Sequence, residues 1–267
     1  MMEQQVWKDP PLYYSLAQLI FNEIPSLEQS IPDIASGMSE LSFTDYQKME
    51  IDSVEFSVTQ GNDAKIHATK KQQWNFFNKS NKSVFTLNTN SLVFATTEYQ
   101  GRDHFTQEVM KGINVINSVK KLDFIDRIGL RHIDLIIPPT DKSVYDYISS
   151  NLHGVKADSA LKKASQTTES IYSDEVHWVV CRTLFRDFPG GLIHPESFMG
   201  LIQLNVADKF NLSSQQEVAC IDMDSFIQHR IMDFDLKDIE NKLLKLRLIM
   251  DPVFKNSVSK IALEQWI

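Results

Sequence analysis

Cysteine is scarce in this chain: Cys181 and Cys220 are the only two in 267 residues. Both lie inside apolar, strand-like runs. A disulfide framework needs more of them, and a zinc site needs them clustered with other ligands, so they read as reduced core thiols. Positive charge is also in deficit, with 27 Lys and Arg against 35 Asp and Glu and a formal net charge of -8. General nucleic-acid binding draws its affinity from phosphate counterions displaced by Lys and Arg, so this balance disfavours it, as it disfavours anionic membranes. No run approaches the roughly 18 apolar residues of a membrane span. Met1 to Trp7 lacks a basic stretch leading into an apolar one, so no signal peptide is expected and the cytoplasm is the expected compartment. Catalytic motifs are missing as well. There is no G-x-S-x-G elbow and no Walker loop, and Gly190-Gly191 lacks the strand-then-helix setting of a phosphate loop. His104, His132, His177 and His194 are scattered, and each reads as a surface or hydrogen-bonded core histidine. No cofactor and no metal is expected, and whether the chain is an enzyme stays open.

What is present suffices for a folded core. The chain is 42% hydrophobic and 23% charged, ordinary values for a globular protein that exclude dominant disorder. Its length fits one large domain or two of about 130 residues. Tyr13 to Phe21 reads as a buried strand. Ser26 to Glu40 reads as a helix, with Leu27, Ile31, Ile34 and Met38 on one face and Ser26 as its cap. Ser53 to Thr59 alternates as a half-buried strand, Gly61-Asn62-Asp63 is a turn, and strands follow over 66–77, 84–88 and 92–97 as an antiparallel meander. Arg102 to Val119 is an amphipathic helix with Asp103 at its positive end. The second half opens with a strand over Phe124 to Ile137. Val144 to Ser165 reads as a helix broken near Gly154, with strands over 175–185, 198–206 and 218–224 and a turn at Pro189-Gly190-Gly191. Asp235 caps a strong helix that Pro252 is expected to end, before a last short helix from Val253 to Trp266.

The halves read as one unit used twice, residues 1–122 and 123–267. The opening strands match: LAQLIFNEIPS from Leu16 and LRHIDLIIPPT from Leu130 each end an apolar run in Pro and a small hydroxyl residue. The fold class is therefore α+β, two strand-helix-meander-helix units side by side, forming one curved antiparallel sheet with helices on one face and the other face open. That architecture resembles the TATA-box-binding proteins; a helix-grip fold is the alternative.

Arg127-Ile128-Gly129-Leu130-Arg131-His132-Ile133-Asp134 resembles the RIGLRY-I-N signature of a sporadically distributed bacterial family of about 250 to 270 residues. Pro10 to Ile24 is similar to that family's opening strand, and Cys220 to Phe226 to the segment before its long helix, so the resemblance covers most of the chain. Here His132 stands where Tyr is usual and Asp134 where Asn is usual. The resemblance implies no catalytic residues. The family's patchy distribution is similar to that of defence or toxin-neutralising cassette proteins.

Within the signature strand, Arg127, Gly129, Arg131 and Ile133 project to one face and Ile128, Leu130, His132 and Asp134 to the other. Arginine is costly to desolvate, so the first face is wet, paired or liganded. Gly129 leaves room for close approach. Arg182 and Arg186 repeat the spacing on the strand that bears Trp178, and Asp222 and Asp224 share a face of theirs. If these strands are neighbours, the basic and acidic rows pair as cross-strand salt bridges. Otherwise Arg127 and Arg131 suit a phosphate or carboxylate, and Asp-x-Asp suits a divalent cation that still wants a third carboxylate. Trp74, Phe76, Phe77 and Phe85 could stack bases or simply fill a hairpin core. The leading expectation is a non-enzymatic protein that holds another protein or a peptide on the open sheet face. The alternative is an anionic small-ligand or nucleotide-binding protein, an enzyme among the options, centred on Arg127 and Arg131. Nucleic acid and membrane are not expected partners, and a homodimer is open.

Overall fold

The computed structural model describes residues 9–58, 64–155, 163, 165–186, 201–210 and 217–266. Among them one nine-stranded sheet contains β1 (Leu12–Phe21), β2 (Asp45–Val58), β3 (Ala64–Phe77), β4 (Ser83–Asn88), β5 (Ser91–Thr96), β6 (Phe124–Ile136), β7 (Ser165–Ser173), β8 (Trp178–Arg186) and β9 (Val218–Asp233). Every neighbouring pair is antiparallel, in the order β2-β3-β4-β5-β1-β6-β9-β8-β7. The helices are α1 (Ile31–Glu40), α2 (Arg102–Val119), α3 (Leu236–Ser257) and α4 (Lys260–Trp266). The class is α+β, as expected from the sequence.

Side-chain alternation divides the sheet into two faces. Ala17, Leu19 and Phe21 of β1, Ile128 and Leu130 of β6, and Ile221, Met223 and Ile227 of β9 join one apolar core with Ile34 and Met38 of α1, Ile113 and Ile116 of α2, Leu243 and Leu246 of α3 and Trp266 of α4. The four α-helices of the described residues therefore lie on one side. A second, smaller core on the opposite face contains, among the described residues, none from an α-helix; its Phe210 ends a 3-10 turn, Asp208–Phe210.

The halves wind alike around the centre. β5, the last strand of the first meander, pairs with β1; β9, the last of the second, pairs with β6. β1 and β6 pair with each other about Ala17 and Leu130, so the sheet runs unbroken across residues 122 and 123. One position differs: β3 has β2 outside it, whereas β7, its counterpart, ends the sheet among the described residues.

Four expectations are corrected. The described part of 144–165 is not an α-helix: it holds two 3-10 turns, Val144–Asp146 and Ser150–Leu152, and Ser165 opens β7, while 156–162 and 164 lie outside the described residues. Val144, Tyr147 and Ile148 do join the helix-side core, so their spacing records packing rather than an α-helix. The described part of 198–206 is not a strand; Leu204 packs on the sheet without joining its ladder. Pro252 lies inside α3, which continues to Ser257. The carbonyl deprived of its donor belongs to Leu248, on the exposed side of the helix, where water can satisfy it. Ser26 adopts a left-handed backbone before a 3-10 turn and makes no side-chain cap, and α1 starts at Ile31. Asp235, by contrast, accepts from the Asp238 amide at 2.7 Å as the cap of α3. Gly61-Asn62-Asp63 and Pro189-Gly190-Gly191 lie outside the described residues.

Gly112 sets how closely α2 approaches the sheet. A Cβ there would stand 2.2 Å from Cε1 of Phe85, a ring fully buried against Phe43 and Phe94. Gly112→Ala is expected to cost about 1–3 kcal/mol through overpacking, outweighing alanine's better helix propensity. Chemical denaturation checks this; unchanged stability would show that the helix can slide.

Candidate functional site

The face opposite the helices is covered at one end. Residues 201–210 cross it, laying Leu204 and Phe210 on Tyr14, Phe77, Val84, Ala95, Ile133 and Leu184. The Asn205 amide donates to the Asn81 carbonyl at 2.8 Å, its side-chain amide donates to the Ser80 carbonyl at 2.9 Å, and Tyr14 Oη donates to the Ile202 carbonyl at 3.1 Å. Beyond this strap the described residues leave the face open over Gln18, Gly129, Phe226 and Trp178, which form one register row across β1, β6, β9 and β8.

Six of the seven residues singled out by the alternation meet on this face. Arg131 donates from Nε and Nη2 to the two oxygens of Asp222 at 2.7 and 2.8 Å. Asp222 is 1% exposed, so this bidentate pair is largely desolvated and its two parallel hydrogen bonds carry much of its strength. Burial opposes the charge on Arg131, but the hydrogen bonds and attraction from Asp222, with Asp224 behind, hold its pKa above the ordinary guanidinium value. Arg182 donates to Glu169 at 2.6 Å and approaches Asp222 at 3.8 Å. Arg127 donates to Gln18 Oε1 at 2.6 Å and to Asp224 at 3.3 Å. Burial lifts the Asp224 carboxyl above its usual range despite the arginines nearby. The seventh residue, Arg186, ends β8, and its side chain lies outside the described residues.

Gly129 serves space rather than backbone conformation. A Cβ there would stand 2.4 Å from Nη1 of Arg127, so the glycine is the slot over which that guanidinium folds. From there Arg127 also covers the Phe226 ring, 4.7 Å from its centroid. Phe226 lies near-parallel to Trp178, at 7° and 6.5 Å, and Trp178 is 41% exposed. Ile171, opposite Val180 on β7, is 57% exposed beside them. Trp178 and Arg182 share a face of β8 by its alternation, but no alternation shows that Phe226 lies opposite Trp178, because that needs the register of two strands far apart in sequence.

Other candidates resolve into core. Trp74, Phe76 and Phe85 are buried under the helices and Phe77 under the strap, so no stacking platform is exposed there. Both thiols are free and buried, and burial raises the pKa of each, leaving them in the unreactive protonated form. No cluster of three or more His, Cys, Asp or Glu able to hold a metal occurs among the described residues, and no helix there is long and apolar enough to cross a membrane.

The helix side holds His132 and Asp134, on the face of β6 opposite Arg127 and Arg131 as the alternation expects. His132 is 3% exposed and lies edge-on to Tyr99 at 5.5 Å. Contrary to the expectation of a hydrogen-bonded core histidine, neither ring nitrogen has a hydrogen-bond partner among the described residues, nor do the hydroxyls of Ser15, directly opposite, and Ser225. Burial, aided by Arg247, pushes the His132 pKa well down, so the ring is neutral. Asp134 is 5% exposed and burial pushes its pKa up to about 7, against the pull of Arg247. Arg247 itself is ion-paired with Asp251 and hydrogen-bonded to Tyr99.

Comparison of the chain with known protein families, with curated proteins and with solved structures finds no match.

Proposed function

We propose that this is a binding protein which docks another protein or a peptide on the uncovered part of its open sheet face. The observation that carries the reading is Trp178, held against Phe226 with the Arg127 guanidinium over the second ring. A large, pre-positioned aromatic beside an arginine, rimmed by polar groups, is the composition of residues that dominate protein interfaces. The charge pattern points the same way. Arg127, Arg131 and Arg182 are each matched by a carboxylate, Asp224, Asp222 and Glu169, leaving a mixed, neutralised face. An anionic ligand at Arg127 and Arg131 would have to displace those carboxylates, and a nucleic acid would need a continuous basic stripe. The matching winding of the two halves supports reading them as a duplicated unit with a TATA-binding-protein-like arrangement, here carrying a protein-docking rather than a nucleic-acid-docking face.

Trp178→Ala is the direct test, because the side chain is exposed enough to remove without opening the core. Affinity capture from source cells with wild type and variant as paired baits should retain a defined protein on wild type. Its affinity for the purified variant should fall by about thirtyfold, the loss of a 2 kcal/mol interface anchor. Equal binding by both baits, or a wild type stabilised against heat by nucleotides or phosphates instead, would sink the proposal.

A further inference from the structure

The outward edge of β7 lies one strand beyond Trp178, whose register partner on β7 is Ser173. β7 pairs with β8 over nine residues without a register shift. Its only neighbour among the described residues is β8, so its outward backbone donors and acceptors are unpaired there. Natural edges of this length are usually guarded by lysine, proline or a bulge. SQTTESIYS contains no lysine and no proline, its pairing shows no bulge, and its one charge, Glu169, is held by Arg182 at 2.6 Å. Ile171 and Tyr172 stand 57% and 51% exposed along it. The other edge, β2, does carry a lysine, Lys48, paired with Glu28, and Glu50, paired with Lys70; an edge lysine is among the residues that discourage pairing.

We infer that β7 pairs antiparallel with β7 of a second copy of this chain, about a two-fold axis through Ile171, joining two sheets into one. The chain already uses this joint internally, where the opening strands of its halves, β1 and β6, meet antiparallel. The position outside β7 is also the one that β2 fills beside β3 in the first half. A two-fold axis makes such a contact self-complementary and closed. With Ile171 on the axis, the two isoleucines pack on each other on the open face. Glu169 lies opposite Ser173 rather than another Glu169, and Tyr172 covers Ser170 on the helix side, so no like charges meet. The axis stands normal to the sheet, since paired residues must share a face, and the Trp178 patches of both copies lie on one side of the joined sheet.

Light scattering of the full chain at high micromolar concentration should give twice the 30.7 kDa chain mass. Ile171→Lys should halve the mass while keeping the wild-type circular dichroism spectrum. Ile171→Cys should cross-link to itself on oxidation, because the axis sets that position against its own copy. Glu169→Cys, set opposite Ser173, should not. A wild type that scatters as a monomer, or a dimer whose mass Ile171→Lys leaves unchanged, overturns the inference. So does a dimer in which Glu169→Cys cross-links and Ile171→Cys does not. Trp178→Ala should leave the dimer mass unchanged, so failure here is separable from failure of the docking proposal.

Discussion

Arg131→Ala is expected to destabilise the protein by about 3 kcal/mol or more, because it leaves the Asp222 carboxylate buried without its bidentate partner. Arg182, at 3.8 Å from Asp222 and already bonded to Glu169, is too far and too engaged to replace it. For a chain of this size the loss corresponds to a melting temperature lower by roughly 6–12 °C. Replacing both members with apolar residues of similar volume, Arg131→Met with Asp222→Leu, should recover most of the loss, since desolvating the pair nearly cancels its attraction. The opposite pattern would mark a ligand site: a single variant that melts with wild type, and a wild type stabilised by phosphate or a nucleotide. Thermal melts of the single and double variants, with and without such anions, separate the two outcomes.

A second large effect is expected at Asp134, and it depends on pH. Its carboxyl has an ordinary value of 3.8 and, buried in the folded chain, one of about 7. Between those values the folded state holds a proton that the unfolded state has released, so stability falls as pH rises. The contribution is complete below about pH 4 and is lost as pH passes through about 7. At 1.36 kcal/mol per pKa unit, the span is at most about 4 kcal/mol before relaxation of the site. Asp134→Asn keeps the shape, cannot ionise, and should lack this falling contribution, so the wild-type-minus-variant difference carries it. Above pH 7 it should be more stable than wild type, less the lost attraction of Arg247. His132, on the same strand face, is neutral in the folded chain but takes up a proton on unfolding at low pH, which adds a slope of the opposite sign. That slope is common to both proteins and cancels in their difference, and Cys181 and Cys220 keep their protons. Denaturation of both proteins from pH 4 to 8 checks the slope; parallel curves would show that the carboxyl does not titrate there.

The sequence made the central architecture legible because each central element carries one clearly buried face. β1, β6 and α2 carry apolar residues at the spacing of their own geometry, and their ends match the sequence reading closely. β7 was missed for the complementary reason. An edge strand over SQTTESIYS buries almost nothing, so neither hydrophobic run nor alternation marks it. The strap at 201–210 misled in the other direction, since apolar residues spaced to rest on a sheet look like a strand of that sheet. Pro252 misled because a proline's missing donor ends a helix only where the orphaned carbonyl has no other recourse. In the site, the arginine and aspartate faces followed from period-two alternation alone, and the salt bridges followed once β6, β9 and β8 proved to be neighbours. The Trp178–Phe226 pair and the partnerless His132 depend on cross-strand register and helix placement, which no local window contains.

The strap also sets an order of events during synthesis. Its contacts reach back 188 residues from Ile202 to Tyr14 and 125 from Asn205 to Ser80. The strands bearing Tyr14, Phe77, Val84 and Ala95 leave the ribosome long before Leu204 and Phe210 exist to cover them. The wait from Thr97 to Asn205 is 108 residues, about 5–20 s at ordinary elongation rates. Throughout that interval the nascent first half presents a bare apolar patch on a sheet face that the finished protein conceals. A holdase acting on the nascent chain would have this surface to shield, and the later segment that completes the fold would displace it.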